Sequence, residues 1–348
     1  LLLLTIFSYL GWAVHQFTQN LIWVPIASPL LAGGGGFVPF LAVRLLVSES
    51  RRVMIKNLFS AYVSGEVLTY VQSHPDRLKL EGERRDVTVF FSDLRGFTTI
   101  SEGVTPEKLS DIMNLYLTPM TEIIMSQRGY LDKYIGDAIM AVFGAPMPDP
   151  EHARHACLAA VYQRRKLDIL TDQIENTCGV KVFARMGVNT GIVSAGNMGS
   201  QDRFQYTVMG DVVNQASRFE GANKMFESGI MIGEPTFLAA QDLLVARRLA
   251  NLIVKGKTVP VRVYELLDLR TDISPERLMH LEKLIERFHG ALDLFEAANI
   301  PEAQKAFEAL LVEFPGDGPA QTYLDRCAEL LKEGIPADFH GAIKLDSK

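Results

Sequence analysis

The sequence predicts an α+β sandwich over residues 84–269, preceded by apolar membrane-spanning segments and followed by a helical tail. Three observations carry this. Short runs of β-branched and aromatic residues, beginning with Val87–Phe91, alternate with stretches of helical periodicity such as Leu109, Ile112, Met113, Tyr116, Met120, Ile123 and Ile124. Residues 1–43 contain no Asp, Glu, Lys or Arg, and residues 270–348 turn rich in Ala, Leu and Glu. Strands interrupted by helices that cover one face give a layered α+β domain. The expected division is transmembrane helices at 1–47, a linker or signalling helix at 48–83, the α+β domain at 84–269 and the tail at 270–348.

Of the 348 residues, 48% are hydrophobic and 22% charged, enough for a large core in about two domains. The net charge of −6 excludes broad nucleic-acid binding, which needs a basic face. Cys157, Cys178 and Cys327 are scattered and odd in number, which reads as reduced thiols on the cytosolic side.

Leu1–Val14 reads as the tail of one membrane helix, and His15–Asn20 as a polar turn. Leu21–Val43 reads as a second span, long enough at ~1.5 Å per residue to cross a ~30 Å hydrocarbon core. Arg44, Arg51 and Arg52 follow the apolar run and no basic region precedes it. That argues against a signal peptide and places the following domain in the cytoplasm, beneath the inner (cell) membrane. Ser48–Gln72 is charged and then amphipathic, a plain connector or a helix that pairs with its copy.

The first strand ends in Ser92-Asp93. Thr105-Pro106-Glu107 then opens a helix with a hydroxyl cap, a first-turn Pro and an acid at the positive end. Tyr130–Ile135 and Ala138–Phe143 form a hairpin with Gly136-Asp137 at its tip, and a helix follows from about Glu151. Lys181–Asn189 and Ile192–Met198 read as two hairpin-paired strands. Phe204–Met209 is a strand before a helix capped by Asp211, on which Asn214 and Arg218 share a face. Glu234-Pro235 opens a short helix. Leu249–Val254, a turn at Lys255–Lys257 and Val261–Leu267 close the domain. In the tail, Ala303, Phe307, Leu310 and Pro315 fit half of a tetratricopeptide pattern, expected to dock on the preceding domain or on a partner.

Asp93 at a strand end and Asp137 at a hairpin tip come to one sheet edge if their strands are neighbours. Two such acids can hold a pair of divalent ions ~3.5–4 Å apart and act on phosphates. Mg²⁺ suits them, because it keeps waters and takes only one or two protein carboxylates. Phosphoryl transfer also needs fixed cations, for which Arg218 and Lys255 are candidates. Each of these residues is equally at home on a surface: the acids in solvated turns, Arg218 in an ion pair, Lys255 in an ordinary hairpin. His152 and His155 lack a third ligand nearby and read as a helix N-terminus, not a zinc site.

Three motifs, FSDLRGFT, DKYIGDAIMAVFG and YTVMGDVVNQASRFE, together resemble the class III nucleotidyl cyclases, over roughly Arg84 to Leu267. The resemblance implies a ferredoxin-like βαββαβ core, active as a homodimer whose sites are shared across the interface. It matches Asp93 and Asp137 to the two metal-binding aspartates, with the Leu94 carbonyl assisting and two Mg²⁺ per site, Mn²⁺ being the alternative. It implies that the amides of Leu94 to Thr98, including Gly96 and Phe97, cradle phosphate. Lys133 and Thr207 match the purine-selecting pair, Asn214 the ribose-orienting residue, Arg218 the arginine that stabilises the transition state, and Lys255 the lysine on the terminal phosphates. Adenine offers an acceptor at N1 beside an amino donor, and guanine reverses them. Lys133 donates and the Thr207 hydroxyl can accept, which suits ATP. The expectation is a membrane-anchored adenylate cyclase whose upstream sensor lies outside this chain. A guanylate cyclase and a non-catalytic nucleotide-binding or dimerisation module are the alternatives.

Overall fold

The computed structural model describes residues 2–26, 43–44, 82–200, 204–253, 259–336 and 339–344. It divides into two compact units, 1–61 and 62–348. In the first, α1 spans Leu2–Asn20. The polar stretch from His15 therefore continues the helix instead of turning. Its side chains bond along the helix: Thr18 Oγ1 donates to the Val14 carbonyl at 3.0 Å, and Asn20 Nδ2 to Gln16 Oε1 at 2.7 Å. No helix among the described residues is long and apolar enough to cross a membrane. Of the expected first span, Leu2–Val14 falls within α1. Most of the second span and the whole 48–72 linker lie outside them.

In the second unit, β1 (Glu83–Leu94) is followed by α2 (Phe97–Gly103) and α3 (Pro106–Ser126). The hairpin β2 (Tyr130–Ile135) and β3 (Ala138–Phe143) leads to α4 (His152–Cys178) and β4 (Ala184–Gly199). β1 pairs antiparallel with both β3 and β4, giving the order β2-β3-β1-β4 of a βαββαβ core. Then come β5 (Phe204–Met209), α5 (Asp211–Phe226), β6 (Ile230–Gly233) and α6 (Glu234–Ala240). β7 (Leu244–Ile253) and β8 (Val261–Leu269) extend the sheet through β6, and β5 folds back along β4. The two strands expected around Gly191 are one 16-residue strand. Its first part ladders with β1 and its last six residues with β5, so no reversal is needed.

Side chains alternate across β1. Phe90 and Leu94 pack with Ile112 and Tyr116 of α3 and with Ala156 and Ala160 of α4. Val87, Val89 and Phe91 pack on the opposite face with Val208 of β5 and Ala216 of α5. Helices therefore cover both faces, not one, because β1 is apolar on both sides. Thr105 caps α3 as expected, accepting from the Lys108 amide. The cap of α5 is Gly210, and Asp211 instead accepts a side-chain bond from Gln215.

The tail forms α7 (Pro275–Glu296), α8 (Ile300–Glu313) and α9 (Gly318–Glu333), with a short β9 (Ile343–Lys344) pairing β7. Ala303, Phe307 and Leu310 are buried, as their spacing suggests. The tail shares one core with the sheet: Phe288, Leu292, Phe295 and Tyr323 cluster with Phe219 and Phe226 of α5 and Val245 and Leu249 of β7. Of the two docking surfaces left open by the sequence, the described tail uses the preceding domain.

Candidate active site

The β3 hairpin lies beside β1, in the register Ser92↔Ile139, so the tip at Asp137 meets the end of β1 at Asp93. Asp137 Oδ2 accepts from the Leu94 amide at 3.1 Å, and the Asp93 carboxyl lies beside that of Asp137. Burial pushes the Asp93 pKa up to about 7, reinforced by the Asp137 carboxyl and by the charge of Glu220 from α5, while the Leu94 amide opposes the rise. Two acids held this close disfavour a second negative charge unless a cation joins them. No cluster of three or more His, Cys, Asp or Glu side chains that could hold a metal occurs among the described residues. Two carboxylates suit an ion that keeps waters and takes substrate oxygens, as Mg²⁺ does.

Beyond Leu94 the chain turns sharply. The Arg95 amide donates to the Phe183 carbonyl at 2.7 Å, and Gly96 sits at φ 72°, where a glycine is favoured. Phe97 and Thr98 then start α2. The Leu94 amide, expected to face phosphate, is the one engaged by Asp137.

Sequence reasoning missed Arg185. It stands opposite Asp93 in the β1/β4 ladder and is half-buried. Its pKa is lowered, first by burial and then by Arg95, while Glu220 and Asp93 favour its charge. The signal was obscured because cross-strand neighbours depend on register, which the misread hairpin displaced.

Lys133 and Thr207, 74 positions apart, are brought together: Lys133 Nζ donates to Thr207 Oγ1 at 3.3 Å. β5 folds back across β2 to do this, with Tyr130 Oη donating to the Tyr206 carbonyl at 3.0 Å and Gln205 Nε2 to the Asp132 carbonyl at 2.8 Å. Asn214 is exposed and Arg218 half-buried on α5. Neither bonds to Asp93 or Asp137 among the described residues. Gly187 of β4 seats this helix; a Cβ there would run into the backbone at Ala216 and Glu220. Lys255 lies outside the described residues. His152 Nδ1 lies 2.8 Å from the Thr88 hydroxyl and His155 Nδ1 2.6 Å from Asp149, both at the start of α4.

The βαββαβ core thus brings two acids together at the end of β1 and a lysine and a threonine into contact between β2 and β5. Residues 81–267 match the family described as adenylate and guanylate cyclase catalytic domain, and the chain belongs to that family. It is 33% identical over 252 residues to the terminal-differentiation specific adenylate cyclase of Dictyostelium discoideum, covering 71% of this chain and 12% of that relative. The chain thus spans about an eighth of that relative's length. Among solved structures, the adenylyl cyclase CyaB from P. aeruginosa superposes with a TM-score of 0.52 at 36% identity, covering 56% of this chain and 100% of that one. The guanylyl cyclase Cya2 superposes with a TM-score of 0.50 at 32% identity, covering 56% of this chain and 98% of that one.

Proposed function

We propose that the protein is a Mg²⁺-dependent adenylate cyclase that converts ATP to 3′,5′-cyclic AMP and pyrophosphate at the interface of a homodimer. The observation that carries the base assignment is the Lys133–Thr207 contact, a donor and a hydroxyl acceptor side by side. The adjacency of Asp93 and Asp137 supports the metal assignment. Bound divalent ions would supply Lewis-acid activation of the 3′-hydroxyl and neutralise the triphosphate.

The roles of the chain's own residues follow from their chemistry. Asp93 and Asp137 would hold the cations, with the Leu94 carbonyl assisting. Lys133 donates to adenine N1, and Thr207 accepts from the exocyclic amine. Asn214 orients the ribose so that O3′ faces the α-phosphorus. As the O3′–P bond forms and the bond to pyrophosphate breaks, negative charge grows on the phosphoryl oxygens. The fixed guanidinium of Arg218 meets that charge, and Lys255 holds the terminal phosphates. In the homodimer one protomer gives Asp93 and Asp137 and its partner gives the remaining side chains. The charge-free stretch at 1–43 and the arginines after it support an anchor in the inner membrane, with the catalytic domain in the cytoplasm.

Purified protein, given ATP or GTP with Mg²⁺ or Mn²⁺ and with products identified by mass, tests the reading. Cyclic AMP from ATP is expected. A wild type that prefers GTP would instead support guanylate cyclisation, the reading favoured by the likeness to Cya2. Lys133→Glu with Thr207→Cys is expected to raise GTP use.

A further inference from the structure

We infer that Asp132 is a positioning residue for base selection, which it controls by fixing the direction of the Thr207 hydroxyl. The inference rests on the nucleotide-cyclase reading above and deepens it. Asp132 precedes Lys133 on β2, and its side chain is wholly buried. Thr207 Oγ1 donates to Asp132 Oδ2 at 2.6 Å, the shortest contact in the cluster. Lys133 Nζ lies 3.3 Å from Thr207 Oγ1 and 3.7 Å from Asp132 Oδ2. Asp132 Oδ1 has no hydrogen-bond partner among the described residues, so the carboxylate gains its bonds through Oδ2 alone.

A hydroxyl has one proton and two lone pairs. With the proton committed to Asp132, the oxygen can only accept from any other group. Lys133 uses one lone pair, and the other is open to a base. The exocyclic amine of adenine can donate to it. The O6 of guanine is itself an acceptor and would meet a lone pair. A threonine without Asp132 could rotate its proton outward and serve either base. Selectivity for adenine therefore depends on a buried carboxylate one layer behind the residues that touch the base. Burial raises the Asp132 pKa, and the Thr207 hydroxyl and Lys133 ammonium act against that rise, favouring the ionised acceptor form.

The test compares kcat and KM for ATP and GTP in the full chain and in Asp132→Leu, Thr207→Val and the double variant. Asp132→Leu, which removes the acceptor at similar volume, is expected to lower the ATP/GTP ratio of kcat/KM by roughly ten- to a hundred-fold, mainly through a raised KM for ATP. On the Thr207→Val background, where no hydroxyl remains to be oriented, the same change should leave the ratio unmoved. Equal losses for both nucleotides, or an undiminished effect of Asp132→Leu in the double variant, would assign Asp132 a purely structural role and overturn the inference. Asp132→Ala replaces Asp132→Leu if the leucine variant does not fold. Loss of fold in both would likewise overturn the inference. The wild-type measurement tests the underlying reading separately: a chain that cyclises neither nucleotide, or prefers GTP, overturns both together.

Discussion

Arg247 offers a sharp test of how the tail is joined to the catalytic sheet. It stands on β7 with its side chain 1% exposed, between Glu265 of β8 at 2.6 Å and Asp317 before α9 at 2.9 Å. Its guanidinium lies 4.4 Å from the centre of the Phe288 ring on α7. Burial opposes its charge, and Glu265 and Asp317 more than compensate, so its pKa is raised. Arg247→Met removes the cation and leaves two largely buried carboxylates facing each other. Breaking a buried ion network in this way costs about 3–5 kcal/mol. The lost cation–π contact of about 2 kcal/mol overlaps with that figure and does not simply add. Against a typical total of about 5–15 kcal/mol, the variant forfeits about a fifth or more of its stability. Chemical denaturation of residues 82–344 checks this through the midpoint and slope. Turnover should fall as well, because α9 abuts the end of α5, where Thr322 Oγ1 donates to the Met225 carbonyl at 3.0 Å, and α5 carries Asn214 and Arg218. Replacing all three charges with apolar residues of similar volume should restore much of the stability. A loss below about 1 kcal/mol for Arg247→Met would refute the claim that this triad joins the two parts, given the usual cost of a broken buried pair.

Three further outcomes follow from the same geometry. Gly187→Ala should push α5 off β4, costing about 1–3 kcal/mol by overpacking and lowering turnover; thermal melts and initial rates check both, and near-wild-type values would mean that α5 is not seated there. In chelator-treated protein, the raised Asp93 pKa means that the folded state binds more protons than the unfolded state between about pH 4 and pH 7, so stability should fall as pH rises through that window. Asp93→Asn should abolish turnover and also remove that slope, a gain on the order of 1–2 kcal/mol at pH 8 once the half-exposed position is discounted; a slope unchanged in the variant would count against the acid pair. Finally, mixing inactive Asp93→Ala and Arg218→Ala chains should restore about a quarter of wild-type activity, since half of randomly paired dimers carry one intact site of two. No recovery would contradict sites shared between protomers.

The parts legible in sequence are those set by short-range rules. The middle of β1 was readable because Val87, Val89, Phe90 and Phe91 are β-branched or aromatic, and α3 because Thr105, Pro106 and Glu107 mark its start. Asp93 and Asp137 were readable as candidates because each follows a strand signal at a turn. Three features were misread for one reason. The β4 hairpin, the polar turn after Val14 and the single helical face were all inferred from local composition, whereas continuous β4 is decided by partners on either side, β1 and β5.

The linear chain alone settled which chemistry-bearing side chains are present and most of the strand and helix assignments, because propensity, capping and periodicity act within a few residues. Folding in three dimensions decided which of those side chains meet. Asp132, 75 positions from Thr207, acquires its meaning from the side-chain contact between β2 and β5, and Arg185, opposite Asp93, from strand register. The tail's place against α5 comes from apolar surfaces that recognise each other by shape and area, with no fixed spacing along the chain.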